Sequence, residues 1–169
     1  MKAVIPVSVA FVLCSIQVYA DSEPFRQEKS YALPSGKNVV VVFRERSCNP
    51  DECGEADSGV WGVDGGKPRF VTEDFRIQID GKPFVIPQKF YRDLTNTYFI
   101  NVSERNGKAV VELKGGKAAG AYTAHFVLGG MCGFERKVCG EVCNEIWETT
   151  KWYNSFAYDF DPGCKSGIE

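Results

Sequence analysis

Residues 75–86 read FRIQIDGKPFVI, and this stretch decides the fold. Apolar and polar side chains alternate from Phe75 to Ile79, which is the period of a strand with one buried face. Asp80-Gly81 is a signal for a two-residue hairpin turn, and Phe84–Ile86 reads as the returning strand between two prolines. The stretch therefore predicts an antiparallel β-hairpin.

The same two signals recur along the rest of the chain. Asn106-Gly107 predicts a second hairpin turn, and Tyr122–Leu128 alternates between two faces. Val39–Phe43 is a β-branched run typical of a strand that is buried on both faces. Roughly seven or eight short strands joined by tight turns must close on themselves or stack to bury their apolar face. We therefore predict an all-β fold with minor α content, a single-domain antiparallel β-barrel or β-sandwich that is mostly a meander and is stapled by disulfides.

Three segments are expected outside this strand pattern. Residues 21–36, which begin polar and end in a Pro-Ser-Gly turn, predict a loose N-terminal arm. Residues 44–59 predict a surface loop, because they combine two cysteines, two glycines and several acidic side chains. Asn144 is a candidate N-cap for a short helix that carries Ile146 and Trp147. We expect one β-rich domain over residues 37–169.

The first twenty residues, 1–20, are typical of a secretory signal peptide. Lys2 provides a positive n-region, a mostly apolar run extends to Leu13, and Val18-Tyr19-Ala20 precedes a polar stretch. The apolar run is shorter than the roughly 20 residues that span a bilayer, and no later run is long enough. We therefore expect cleavage near Ala20, a secreted or periplasmic protein, and no transmembrane segment.

The charge pattern argues against two classes of partner. The chain carries 20 Lys and Arg against 22 Asp and Glu, which gives a net charge of −2. These charges are interspersed along the chain, without long basic runs. Binding to nucleic acid or to anionic lipid as a main task requires clustered Lys and Arg. We therefore expect neither partner.

The cysteines fit an exported protein. Cys14 leaves with the signal peptide, and the even number that remains predicts three disulfides. Six cysteines allow 15 pairings. The pairing that we favour joins Cys48 with Cys53, Cys139 with Cys143, and Cys132 with Cys164. The short spacings also suit a thiolate zinc site, but an oxidising compartment removes the free thiolates, so we expect no metal.

The residue inventory favours a protein without catalytic or cofactor chemistry. His125 is the only histidine of the chain, and no G-x-S-x-G elbow accompanies it. Gly115-Gly116-Lys117 lacks both the spacing and the Ser or Thr of a phosphate-binding loop. We therefore assign no catalytic residue and no cofactor.

The segment between Cys48 and Cys53 is the most distinctive local feature. A disulfide across four residues would hold an acidic tip in place and lower the entropy that is lost on binding. Trp61 follows this loop and precedes a double glycine, in a position where an exposed aromatic side chain typically anchors a partner. The alternative for Trp61 is packing in the core, as expected for most aromatic side chains of a small β domain. The candidate binding residues are Asn49, Asp51, Glu52, Trp61 and Asp64.

These observations favour a non-enzymatic binding protein, similar to inhibitors or immunity proteins. It would use the disulfide-clipped loop to bind another extracytoplasmic protein. Two alternatives stay open. A closed barrel with an apolar interior would carry a small ligand. Carboxylates such as Asp64 and Asp74 would serve a glycan hydrolase if their separation suited that chemistry.

Overall fold

Two antiparallel sheets, built one after the other along the chain, form the described part of the molecule. The structure is a computed structural model that describes residues 23–49, 51, 53 and 59–155. In each sheet, strands that follow one another in sequence are neighbours in space. The sequence is compatible with a barrel or a sandwich. Over the described residues the sheets do not close into a barrel, so the arrangement is sandwich-like.

The first sheet has four strands in the order β1 (Arg26–Ala32), β2 (Asn38–Ser47), β3 (Phe70–Ile79) and β4 (Lys82–Phe84). The predicted turn at Asp80 and Gly81 is confirmed, because β3 pairs with β4 across it. The returning strand was predicted at Phe84–Ile86, but it covers Lys82–Phe84, since pairing begins directly after the turn with Ile79 opposite Lys82. Both turn residues have positive φ, 51° and 76°, as a two-residue hairpin turn of type I′ requires.

The second sheet has five strands in sequence order: β5 (Thr97–Arg105), β6 (Lys108–Gly115), β7 (Tyr122–Leu128), β8 (Gly133–Cys139) and β9 (Ile146–Tyr153). The predicted turn at Asn106-Gly107 joins β5 to β6 and is confirmed. Among the residues with a described structure, single 3-10 turns lie at Gln88–Phe90, Ala118–Gly120 and Gly130–Cys132.

Side chains from both sheets fill the core between them. Phe75 of β3 meets Phe126 of β7 edge to face, with ring centroids 5.3 Å apart, and Phe43 of β2 packs on Phe75 at 5.7 Å. The predicted alternation of β7 is confirmed, since its core-facing residues are all buried. Such ring contacts stabilise beyond the area that they bury. The sheets therefore share one apolar core.

Among the segments that differ from what the sequence predicts, two lie in the outermost strands β1 and β9. Residues 26–32, expected in a loose arm, form β1 and pair with β2 along their whole length. The predicted helix at Ile146 and Trp147 is wrong, because these residues begin β9. In both cases the strand pairs backbone N–H and C=O groups at the edge of a sheet, and this outweighs a weak local signal.

Two of the predicted disulfides are confirmed, and we call the short loops that they close the first clip and the second clip, in chain order. Cys48 is bonded to Cys53, with Cα atoms 6.1 Å apart, and Cys139 is bonded to Cys143, with Cα atoms 4.9 Å apart. Cys132 is also in a disulfide. Its predicted partner Cys164 lies outside the described residues, so that pairing stays a prediction, and the signal peptide at residues 1–20 lies outside them too. Within the described ranges, no helix has the length and apolar character needed to cross a bilayer.

Candidate functional site

A cleft of about 420 Å³ opens on the outer face of the second sheet, beside the Cys139–Cys143 clip. Three residues that lie directly opposite one another on neighbouring strands line the cleft: Glu112 of β6, His125 of β7 and Lys137 of β8. Directly opposed side chains of antiparallel strands have Cβ atoms about 5 Å apart on one face. Strand register therefore assembles this part of the cleft from residues that are distant in sequence.

A second row of paired residues lies next to the first. Thr123 of β7 is opposite Lys114 of β6 on one side and opposite Cys139 of β8 on the other. The Thr123 hydroxyl donates a hydrogen bond of 3.2 Å to the carbonyl of Glu141, which lies in the turn after β8. This bond fastens the clipped turn to the sheet, so the turn forms a fixed wall of the cleft.

The side chains of His125 and Glu112 form a close pair within the cleft. The distance from His125 Nε2 to Glu112 Oε2 is 2.9 Å, and Lys114 Nζ lies 3.8 Å from the other carboxylate oxygen. The two members of the pair are mostly shielded, with 12% and 22% of their side-chain surface exposed. Such a pair orients the imidazole through one nitrogen and leaves the other nitrogen for a ligand.

Three large apolar side chains stand at the clipped turn and the start of β9. Val142 is 80% exposed, Trp147 is 50% exposed and Ile146 is 45% exposed. Val142 and Ile146 line the cleft, and Trp147 covers Gly140, where a Cβ atom would come within 2.9 Å of the indole. We call Val142, Ile146 and Trp147 the apolar rim. Trp147 follows Ile146 in the chain but is outside the cleft lining. Neighbouring exposed apolar side chains are typical of interaction surfaces.

The predicted binding residues do not all gather in one place. Asn49 and Asp51 are exposed in the first clip, where the Asn49 carbonyl accepts a hydrogen bond of 3.1 Å from the Cys53 N–H. Glu52 lies outside the described residues. Trp61 instead contacts the apolar rim, because it stacks on Trp147 with ring centroids 5.8 Å apart and planes 19° apart. Among the predicted binding residues that the structure describes, Trp61 is thus the one that joins this site.

Trp61 is only partly exposed, and hydrogen bonds restrain its backbone on both sides. The backbone N–H of Trp61 donates a hydrogen bond of 2.7 Å to the backbone carbonyl of Asp93. The backbone carbonyl of Trp61 accepts a hydrogen bond of 3.0 Å from the backbone N–H of Thr95. The Asp93 carboxylate is in turn bound by the buried guanidinium of Arg136 through two nitrogens. A bidentate pair of this kind fixes geometry as well as charge. Trp61 therefore supports Trp147 as a half-buried platform.

Asp64 lies at a second cleft, of about 490 Å³, whose lining also includes Phe25, Thr97 and Lys117. The loop around Asp64 is placed by close backbone packing. Gly62 has φ of 100°, and a Cβ atom there would collide with the Thr95 carbonyl. A Cβ atom on Gly116 would lie 2.8 Å from the Gly62 Cα, so the double glycine at 115–116 permits this packing.

Glu45 is a buried carboxylate beside this second cleft that the sequence analysis missed. The side chain is fully shielded, and its two oxygens accept hydrogen bonds from the backbone N–H groups of Thr97, at 2.7 Å, and Phe25, at 3.4 Å. The Thr97 hydroxyl also lies 3.0 Å from the Tyr122 hydroxyl. Burial raises the pKa of Glu45, and the backbone N–H donors oppose that rise. The carboxylate links β2 of the first sheet to β5 of the second.

A signal for Glu45 was present in the sequence. Val39, Val41 and Phe43 face the core, and Glu45 is the next position of the same alternation. The expectation of a surface loop from residue 44 was wrong for residues 44–47, since β2 continues to Ser47. An inward-facing carboxylate at the end of a strand is a reason to search for backbone donors nearby.

Comparison of the chain with protein-family models, with curated protein sequences and with solved structures gave no significant match.

Proposed function

We propose that this chain is a secreted or periplasmic, non-enzymatic binding protein, of the inhibitor or immunity-protein kind. It binds another extracytoplasmic protein with the surface around the Cys139–Cys143 clip. The observation that carries the proposal is the apolar rim, in which Val142 is 80% exposed and Trp147 is 50% exposed on a turn closed by a disulfide.

Rigidity is what makes this surface suited to binding. The clip and the bond from Thr123 to the Glu141 carbonyl restrain the turn before any partner arrives. Trp61 supports Trp147 from one side. A surface that is already ordered loses less conformational entropy on association, so more of the contact energy appears as affinity. Tryptophan is also among the residues most enriched in energetically dominant interface positions.

The charged lining of the cleft beside the apolar rim indicates which polar groups the partner would need. This lining carries cations from Arg105, Lys114 and Lys137 and anions from Glu112 and Glu141. A partner that buries an apolar side chain on the rim would also need polar groups of both signs nearby. Mixed polar surroundings around an apolar centre are the usual anatomy of protein–protein interfaces.

Export is part of the same proposal. The signal-like residues 1–20 support it, and so do the clips, since disulfides persist in oxidising compartments. The alternatives receive less support. The space between the sheets is filled by aromatic and aliphatic side chains, which weighs against a carrier with an apolar interior. Asp74 is paired with Arg76 at 3.0 Å and Asp64 is exposed, which weighs against carboxylate catalysis at these positions.

The test measures the affinity of purified variants for the partner that the mature protein captures from the extracytoplasmic fraction of its source organism. We expect Val142→Ser to weaken binding about tenfold, because burial of a valine contributes about 1.5 kcal/mol. Trp147→Ala should weaken it about 30-fold, the scale of a 2 kcal/mol anchor. Val85→Ser is the matched control, since Val85 is also a highly exposed valine, at 63%, but lies next to β4.

Two results would contradict the proposal. One is an affinity that neither Val142→Ser nor Trp147→Ala changes relative to Val85→Ser. The other is an affinity that falls instead on joint replacement of Asn49 and Asp51 by alanine, which would assign binding to the first clip. Calorimetric titration of each variant gives the affinity, and circular dichroism checks that each variant is folded.

A further inference from the structure

We propose that the second clip is a redox-controlled zinc site. When the Cys139–Cys143 disulfide is reduced, the two thiolates and His125 bind one Zn²⁺. The observation behind this proposal is that the ligand atoms of these three residues lie within 4.8 Å of one another. Among the described residues, no second cluster of three such ligands occurs.

Strand pairing holds two of the three ligands in place whether or not the disulfide is present. His125 lies on the outer face of β7. Cys139 lies on the same face of the adjacent strand β8, two residues beyond Lys137, which pairs directly with His125. Cys143 is only four residues beyond Cys139, and the Thr123–Glu141 hydrogen bond returns that turn to the sheet. The third ligand therefore stays near the other two after reduction.

The Cys139–Cys143 pair binds no metal as a disulfide and provides two thiolate ligands after reduction. A dithiol reductant supplies two electrons and two protons, the S–S bond breaks, two thiols form, and the reductant becomes a disulfide. Binding of Zn²⁺ then releases the two thiol protons and gives two Zn–S bonds and one Zn–N bond. Water completes a tetrahedral site. Bonds of about 2.3 Å require sulfur atoms about 3.8 Å apart, so the thiolates must separate, and this excludes metal from the oxidised form.

Glu112 is the positioning residue of this site. Its carboxylate lies 2.9 Å from His125 Nε2, which leaves Nδ1 as the nitrogen that is available to the metal. Histidine ligands commonly donate their other N–H to a carboxylate, which fixes the ring orientation and raises the basicity of the ligand. The His125–Glu112 pair has this arrangement before metal arrives.

The proposal is tested by titrating Co²⁺, a spectroscopic substitute for zinc, into the full mature chain under reducing, anaerobic conditions. The matched variants are Cys139→Ala with Cys143→Ala and Cys48→Ala with Cys53→Ala, since each pair removes one clip and two thiols. We expect the wild type and the Cys48/Cys53 variant to bind one Co²⁺ with a thiolate-to-metal charge-transfer band. The Cys139/Cys143 variant should lose both the binding and the band.

Two further measurements separate metal ligation from a structural effect. Glu112→Gln should weaken Co²⁺ binding about 10- to 100-fold while the charge-transfer band at saturation is retained. Circular dichroism reports whether the reduced chain keeps its β structure. A reduced chain that regains β structure on addition of Zn²⁺, and loses it with a chelator, supports the site. The proposal is overturned if the reduced wild type binds no Co²⁺, or if both paired-alanine variants bind Co²⁺ equally.

Discussion

At the scale of single residues, Glu45 shows how a charged group can be part of the core of this molecule. Its carboxylate is fully shielded, yet both oxygens are satisfied by backbone N–H donors from two other segments. A buried carboxylate without such donors would be strongly destabilising. The side chain therefore acts as a connector between the sheets rather than as a surface charge.

Burial of Glu45 predicts a specific dependence of stability on pH. Because desolvation raises its pKa in the folded chain, the folded state binds this proton more tightly than the unfolded state. The contribution of Glu45 to stability is then fully present below its unfolded pKa, about 4.3, and is lost as the pH rises through the folded pKa. We expect the free energy of unfolding of the wild type to fall relative to that of Glu45→Gln as the pH rises from about 4.

Urea denaturation at a series of pH values measures this difference. Glu28→Gln, at an exposed position of β1, is the control for the loss of one negative charge. A stability difference between wild type and Glu45→Gln that stays constant over the whole pH range would contradict the assignment.

At the scale of elements, the two clips offer a matched comparison. Both close short loops, with sequence separations of 5 and 4. The chain-entropy description assigns each such loop about 2 kcal/mol. We therefore expect replacement of either cysteine pair by alanine to lower the free energy of unfolding by about 2 kcal/mol and to leave the chain folded. Urea denaturation of the two variants checks this, and a loss above about 4 kcal/mol for either pair would show that the clip organises more than its own loop.

The strands differ in how well their sequences reveal them. The turn and the first strand of the β3–β4 hairpin are predicted correctly, because the alternation of β3 and the turn signal are both local. The start of β9 is not, since an apparent N-cap at Asn144 suggests a helix while pairing of Cys139 with Ile146 places the chain in the sheet. The sequence around Ile146 cannot show that Cys139 is its pairing partner, because the clipped turn between them brings the two residues together.

The candidate site is even less visible in the sequence than β9. Glu112 and His125 belong to different strands joined by a glycine-rich connection, and their meeting depends on the register between β6 and β7. A shift of one residue would move His125 to the opposite face of the sheet. The sequence singled out His125 as a lone histidine, but its carboxylate partner and its two neighbouring sulfur atoms emerge only from the folded register.

At the scale of the whole molecule, the order of the strands raises the question of whether each half folds alone. Every strand of the first sheet precedes every strand of the second, so the hydrogen-bonded pairs within each sheet are contiguous in sequence. The two halves are joined by their apolar faces, as in the contact between Phe75 and Phe126, and by Glu45. Neither sheet can bury its apolar face without the other.

This coupling predicts a single cooperative unfolding transition. Phe126→Ala removes a fully buried ring of the second sheet and should cost about 3–5 kcal/mol. Because the core is shared, amide hydrogen exchange should accelerate in β2 and β3 as much as in β7 and β8. Phe99→Ala, at a side chain that is 40% exposed on β5, is the matched control and should have a smaller effect in both sheets. Faster exchange confined to the second sheet would mean that the halves are separate folding units, and the expectation of one domain over residues 37–169 would then be wrong.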